Sequence, residues 1–300
     1  MHNSMIRTWF VLCLFFLSFT SLSANSLATD YVAADLVLTS TAHTLLDLVT
    51  ANSSATICGV KSHSGIIVQA VEKLKHVAII PDGNRRWARS QGHESLYGHT
   101  VGFSQVAPRI ITDLFDLGVH TVTLWCCSPE NYNRSVSEVS NVGVACNLML
   151  NTLRDVAKKR GVRIVRLGRK DRIPGDSMRL LDLSEKETLL YTNHVLNLAV
   201  DYGSCDELCR ACTKLIAQAK PGSKITQEML AQTLDTSGQP YPNPDLIIRT
   251  SGESRLSGFM MWQAAYSELY FTHKHFPEFD RSLLIEAITE FSNRKRRYGL

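Results

Sequence analysis

Five consecutive residues, Asp82-Gly83-Asn84-Arg85-Arg86, stand between the apolar run "HVAIIP" and a segment of helical character that includes Trp87. A strand handing over to a helix there presents the free backbone N–H groups and partial positive charge of a helix N-terminus. Gly83 lets an anion approach the backbone closely, and Arg85 and Arg86 add charge-assisted hydrogen bonds. Asp82 is the odd member, because a carboxylate repels a diphosphate unless a cation lies between them. A hard divalent ion such as Mg²⁺ joins one or two carboxylates to phosphate oxygens in this way. The stretch predicts a metal–diphosphate cradle, although Asp-Gly-Asn by itself is also a common turn.

A second polar group follows the apolar run "DLII". Arg249, Arg255 and Ser257 fall within nine residues, two guanidiniums and a hydroxyl that suit a second oxyanion. Glu268, in "SELYF", is a further carboxylate available to a metal. A third loop, "SPENYNR", holds Ser128, Asn131 and Arg134. Behind these loops Phe103, Val106, Ile110, Leu114 and Leu148 are candidates for apolar walls. Two diphosphate sites beside an apolar pocket point to isoprenoid diphosphates.

The elements that must position these groups alternate. "HVAIIP", "VHTVTLWCC", "VRIVRLG", "HVLNLAVDYG", "PDLIIRTSG" and "SELYF" read as strands. Helical segments separate most of them: "HTVGFSQVAPRIITDLFDLG", interrupted by Pro108; a long one from Val136 that ends at Gly161; and a last one from about Arg281 to Arg294. This alternation predicts an α/β fold, a mainly parallel sheet flanked by helices. In such sheets ligands bind beyond the carboxyl ends of the strands, where the polar loops fall.

With 300 residues, 44% of them hydrophobic and 20% charged, the chain can form one large domain or two small ones. The net charge of +4 and the short basic clusters Arg85-Arg86, Arg166 to Arg172 and Arg294 to Arg297 give no nucleic-acid stripe. Eight cysteines show no disulfide framework. Cys205, Cys209 and Cys212 have the spacing of an iron–sulfur loop, but they lie on an amphipathic helical pattern with Leu208 and Ile216 and are read as buried thiols. Residues 1–28 combine a short basic head, an apolar run and small residues, as a secretory signal peptide or targeting segment does; a membrane anchor is the alternative. Residues 29–72 read as an extension or linker, and residues 73–300 as the catalytic domain. The expected destination is the secretory pathway or endoplasmic reticulum, or an organelle such as a plastid reached through a two-part signal.

From His76 to Leu300 the chain resembles the cis-prenyltransferases, on "HVAIIPDGNRRWAR", Gly98-His99, "SPENYNR", "DLIIRTSGESRLSGFMMWQAAYSELYF" and "NRKRRYG" in that order. The resemblance implies an undecaprenyl diphosphate synthase-like fold with a hydrophobic tunnel, a homodimer, and Mg²⁺-dependent condensation of isopentenyl diphosphate with an allylic diphosphate. It makes Asp82 a metal-linked catalytic carboxylate and Glu268 a second one. Gly83, Asn84, Arg85, Arg86 and Arg134 are implied for the allylic diphosphate, Arg249, Arg255 and Ser257 for isopentenyl diphosphate. His99, Ser128 and Asn131 are placed among the reacting groups, and Arg297 and Gly299 in a motif that reaches a neighbouring subunit. Diphosphate oxygen or the Ser128/Asn131 pair is left to accept the departing proton.

Several positions depart from the family pattern: Pro81, Phe103, Pro108, Gly258 and Ser204-Cys205. Phe103 and Pro108 together favour a short product. The alternatives are irregular coupling of two allylic units, a medium- or long-chain polyprenyl (dolichol-type) synthase, a non-catalytic partner subunit, which would lack Asp-Gly-Asn, and a secreted lipid-binding protein.

Overall fold

Six short runs of apolar and β-branched residues form six strands: β1 His76–Ile80, β2 Thr121–Trp125, β3 Val162–Leu167, β4 His194–Ala199, β5 Leu246–Arg249 and β6 Glu268–Phe271. All pair in parallel in one sheet, in the order β3-β4-β2-β1-β5-β6. The computed structural model describes residues 72–133, 136–220 and 222–297. The expected targeting segment and all but the last residue of the extension lie outside these, as do Arg134 and Gly299.

Burial on both faces explains the near-continuous apolar character of the strands. Val77 and Ile79 of β1 point to one face, where they join Val122, Leu124, Ile110 and Met149. Ala78 and Ile80 point to the other, against Ile247, Tyr202, Phe259 and Met260. Among the described residues the helices are α1 Asn84–Ser90, α2 Ser95–Thr100, α3 Ala107–Asp116, α4 Val136–Arg160, α5 Gly175–Thr188, α6 Ser204–Gln218, α7 Gln227–Ala231 and α8 Arg281–Asn293. From β1 the chain winds outward through β2 and β3, inserts β4, then crosses β1 to reach β5. The winding reverses between β1 and β5, and such a switch point opens a crevice beyond the carboxyl ends of the two strands.

Three sequence expectations change. Pro108 does not interrupt its helix: α2 runs through a π-helical segment, Val101–Val106, into α3, with Pro108 in the first turn of α3. The wide turn leaves room for a residue that lacks an N–H and crowds the preceding turn. Cys205, Cys209 and Cys212 are exposed, because α6 buries Ser204, Glu207, Ala211 and Leu215 instead. Glu207 is tolerated there by hydrogen bonds from Tyr202 Oη at 2.6 Å, the Asp235 amide at 2.9 Å and Gln263 Nε2 at 3.2 Å. Leu148 is 43% exposed and is no part of an apolar wall, whereas Phe103, Val106, Ile110 and Leu114 are buried.

Candidate active site

The crevice at the β1/β5 switch point holds the two loops that carry most of the candidate residues. After β1 the chain turns at Gly83, whose φ of 98° lies in the left-handed region open to glycine. Gly83 N–H donates to Asp82 Oδ1 at 2.7 Å. Asp82 Oδ2 accepts from Arg249 Nη2 at 2.9 Å, across from β5, and Asp82 Oδ1 from Arg86 Nη2 at 3.2 Å, one turn along α1. Burial, the strongest single influence on this carboxyl, pushes its pKa up. The Arg249 hydrogen bond and charge, with Arg86 and the Gly83 amide, outweigh it and hold the group below the usual carboxylate range.

Arg249 is the buried member of the second loop, its side chain 6% exposed. Its Nη1 donates to Ser257 Oγ at 2.9 Å and to the Arg255 carbonyl, so the first arginine fixes the position of the other two residues. The loop's backbone is strained, with Ser251 at φ 79° and Ser257 at φ 52°. Arg249 Nε is buried without a partner among the described residues.

A cleft of ≈ 540 Å³ brings Asp82, Gly83, Asn84, Arg85, Arg86, His99, Ser128, Asn131, Arg249, Arg255 and Ser257 together. Five arginines, Arg85, Arg86, Arg89, Arg249 and Arg255, face two carboxylates, Asp82 and Glu253, and this excess of positive charge suits polyanionic ligands. Glu253, Arg89 and Trp125 were not singled out in the sequence. Glu253 lies midway between Arg249 and Ser257 and contacts Arg86 Nη1 at 3.4 Å, so its place in the motif was the available signal. The Trp125 indole ends β2, donates to the Tyr202 carbonyl at 2.9 Å and stacks on Phe259.

Asn84 lines the cleft mainly as a brace. Its Nδ2 donates to the Pro81 carbonyl at 2.9 Å, and its buried side chain fits against Gly102. Ser128 and Asn131 form a pair: Asn131 Nδ2 donates to Ser128 Oγ at 3.0 Å, and Asn131 Oδ1 accepts from the Ser128 amide at 3.4 Å. Ser128 Oγ keeps its own O–H for a ligand. His99 and Phe103 stack with ring centroids 6.3 Å apart on the same cleft wall. Beyond Cys126, Cys127 and Val142 the cleft abuts an apolar cavity of ≈ 40 Å³, lined by Cys146, Met149, Leu150 and Leu181 among others.

Two expected residues fall elsewhere. Glu268 opens β6 level with Leu246, at the amino ends of the strands, and pairs with Arg294 at 3.0 Å. Asp82 lies beyond the opposite ends, so Glu268 is roughly 10 Å or more away along the strand direction and two strands across. Within one chain the two carboxylates do not share a metal. Arg297 is exposed, and its neighbour Arg296 is tied to Asp245, just before β5, at 2.7 Å.

The sequence profile of putative undecaprenyl diphosphate synthases matches residues 80–299. The isoprenyl transferase of Aquifex pyrophilus is 41% identical over 225 residues, which cover 75% of this chain and 95% of that one. The tritrans,polycis-undecaprenyl-diphosphate synthase (geranylgeranyl-diphosphate specific) of Methanocaldococcus jannaschii is 36% identical over 80% of this chain and 88% of its own length. Among solved structures, lavandulyl diphosphate synthase from Lavandula x intermedia, in complex with dimethylallyl diphosphate, superposes with a TM-score of 0.74 at 31% identity, covering 77% of this chain and all of that one. A probable undecaprenyl diphosphate synthase from Campylobacter jejuni gives a TM-score of 0.62 at 27% identity, over 76% and 99%. With its parallel sheet, its paired arginine loops and these matches, the chain belongs to the undecaprenyl diphosphate synthase family and is a cis-prenyltransferase.

Proposed function

We propose that this enzyme adds isopentenyl diphosphate to a short allylic diphosphate and stops after one or a few additions. One observation carries the reading: Asp82 and Arg249 meet at 2.9 Å across the switch-point crevice, each at the centre of an arginine-bearing loop, with an apolar cavity behind them. Arg85 and Arg86, beside the Gly83 turn, bind the allylic diphosphate. Arg249, Arg255 and Ser257 bind the isopentenyl diphosphate. The Ser128 hydroxyl, oriented by Asn131, contacts an oxygen at the reacting end, and His99 and Phe103 wall the first carbons of the allyl group.

The donor set fits a hard divalent cation held jointly with substrate. Asp82 presents an ionised carboxylate at the cleft, beside the arginines that suit phosphate oxygens. Mg²⁺ takes one or two carboxylates and completes its shell with phosphate oxygens and water, so Asp82 would hold it. Once bound, it would supply positive charge against the diphosphate leaving group. The arginines stabilise the same charge directly and need no rearrangement to do so.

The short product rests on Phe103, which is buried and stands beside His99 on the cleft wall, where a phenyl ring fills space that a small side chain would leave open. The test is product analysis of the purified protein with Mg²⁺, isopentenyl diphosphate and dimethylallyl or geranyl diphosphate. Products of ten or more added units overturn the short-chain reading, and absence of turnover overturns the reading as a whole. The likeness to lavandulyl diphosphate synthase favours a second reading, coupling of two allylic units. Product from dimethylallyl diphosphate alone would establish it. The intact Arg249–Arg255–Ser257 arrangement supports the first.

The positions of Glu268 and Arg297 bear on assembly. They lie away from this chain's own cleft, a homodimer would allow them to approach the cleft of a second copy, and light scattering of the purified protein tests for that dimer. Among the described residues no helix is long and apolar enough to cross a membrane. Residues 1–28, by their composition, direct the chain into the secretory pathway or onward to an organelle. A fluorescent fusion of residues 1–72 that stays diffuse in the cytosol overturns this.

A further inference from the structure

We infer that His275, acting through Ser251, is a positioning residue that sets the spacing between the two diphosphate loops. The inference rests on the functional reading above. His275 lies just before the 3-10 turn Phe276–Glu278, outside both loops, and reaches back between them. Its Nδ1 is 2.7 Å from Ser251 Oγ, the two sharing one hydrogen. A Cβ placed on Gly83 would lie 2.6 Å from His275 Nδ1 and 2.5 Å from Ser251 Oγ, so the pair packs directly against the Gly83 Cα. Glycine at position 83 is thus required twice, for its φ of 98° and for this approach.

Ser251 needs a restraint. Its φ of 79° is uncommon for a non-glycine residue and persists only where the surroundings over-determine it. Three bonds hold it: its N–H to the Lys274 carbonyl at 2.7 Å, its carbonyl to Arg86 Nη1 at 3.3 Å, and its hydroxyl to His275. The same short segment also holds the first loop, because the Phe276 amide donates to the Asp82 carbonyl at 3.0 Å. Thr250 Oγ1 donates to that carbonyl at 2.7 Å. Residues 274–276 therefore hold both loops through backbone bonds, and His275–Ser251 is the side-chain contact that completes the bracket. Without it, Ser251 can relax, Arg86 loses a fixed acceptor, and the Gly83 turn loses the wall against which it is packed.

Three variants test this in the full-length protein: His275→Leu, which keeps bulk and removes the bond; His275→Asn, whose amide places a polar atom where Nδ1 stands; and His275→Gln, whose amide reaches the Nε2 position instead. Inorganic diphosphate is the binding probe, titrated calorimetrically with Mg²⁺ present, and KM and kcat are measured beside it. Leu and Gln should weaken diphosphate binding and raise KM about five-fold, the scale of one lost hydrogen bond, with a smaller change in kcat. Asn should stay within about two-fold of wild type. Wild-type affinity and KM in His275→Leu overturn the inference, as does equal loss in all three, which marks a role in packing alone. If His275→Leu does not fold, Ser251→Ala removes the same bond, and wild-type behaviour in that variant overturns the inference equally. Asp82→Asn, measured in parallel, separates the two levels: full turnover there defeats the assignment of the site, and loss of turnover there with an unaffected His275→Leu defeats only the positioning role.

Discussion

At the scale of the residue, Asp82 is where the proposed chemistry concentrates. It meets Arg249 and Arg86, and the balance of burial against those cations leaves it ionised through the working pH range. Asp82→Asn keeps the shape and removes the charge. Turnover should fall by roughly 10²–10³, the scale of losing one preorganised electrostatic partner of the transition state, with the circular dichroism spectrum unchanged; retention of more than a tenth of wild-type kcat at saturating Mg²⁺ would reject the role. In the proposed reaction Phe103 is the residue that would limit product length. It is buried, stacks on His99 and faces the cleft ahead of the small apolar cavity. Phe103→Ala should lengthen the product by at least one five-carbon unit, read by reversed-phase chromatography of the dephosphorylated products, and an unchanged product would exclude Phe103 as the limit. The cleft residues legible in the sequence were those packed into short motifs, since adjacent arginines, glycine and aspartate at a strand end suggest an anion site before the fold is known, and the structure brings them to one cleft. His275 was not legible, because its partner Ser251 is 24 positions away and only the turn after β6 brings them together.

At the scale of the element, the cleft wall is built by unusually close helix contacts. A Cβ on Gly98 would lie 2.0 Å from the Asn84 carbonyl oxygen, and one on Gly102 would lie 2.1 Å from Asn84 Oδ1. Helix α1 can approach α2 and the π-helical segment that continues it in this way only because both positions are bare. Gly98→Ala meets backbone, which cannot swing aside, so it should cost about 2 kcal/mol or more of stability, measured by urea denaturation, and should weaken diphosphate binding because α1 carries Arg85 and Arg86. Gly143→Ala on α4 is the opposite case. Its Cβ would make an ordinary 3.8 Å contact with Ser177 Oγ, so helix propensity dominates and stability should rise by up to about 1 kcal/mol. Equal effects of the two changes would refute the packing argument. Strand identity was readable because both faces are buried and the runs are nearly all apolar. Helix faces were harder. On α6 the cysteines recur at helical spacing, yet the core side carries Glu207, a residue no hydrophobic pattern assigns to a core, and its satisfying donors come from Tyr202, Asp235 and Gln263. Likewise the π-helical segment leaves no mark in composition, and a proline read without it looks like a break.

At the scale of the whole molecule, the sheet has two chemically different edges. The carboxyl ends of the strands carry arginines and the cleft; the amino ends carry histidines. His76 begins β1, His194 begins β4, and His120 directly precedes β2. His120 and His194 have ring centroids 6.4 Å apart, and His76 anchors a buried polar ladder, with Nε2 2.7 Å from Thr123 Oγ1 and Asn197 Nδ2 donating to the same oxygen at 3.0 Å. All three histidines are held below their ordinary pKa. For His76 burial lowers it to about 4, and the Asp245 charge opposes burial only in part. For His120 the causes are burial, then His194 and Lys75; for His194, burial first and Arg160 among the rest. An unfolded chain binds these protons near pH 6.5, so it takes up more protons than the folded one as pH falls below that value. The histidine contribution to stability is therefore present above about pH 6.5 and is lost as pH falls below it, for His76 through the window down to about 4. A tenfold difference in proton affinity between the folded and unfolded chain is worth about 1.4 kcal/mol, so fully buried His76 alone accounts for a loss of roughly 1.4 kcal/mol by pH 5.5 and about 3 kcal/mol by pH 4. His76→Gln retains an amide at the Nε2 position for Thr123 and removes the titration. Urea midpoints at pH 7.5 and 5.5 should separate clearly in the wild type and by a visibly smaller interval in His76→Gln. Equal intervals would show that the amino edge of the sheet does not set the acid limit of the fold.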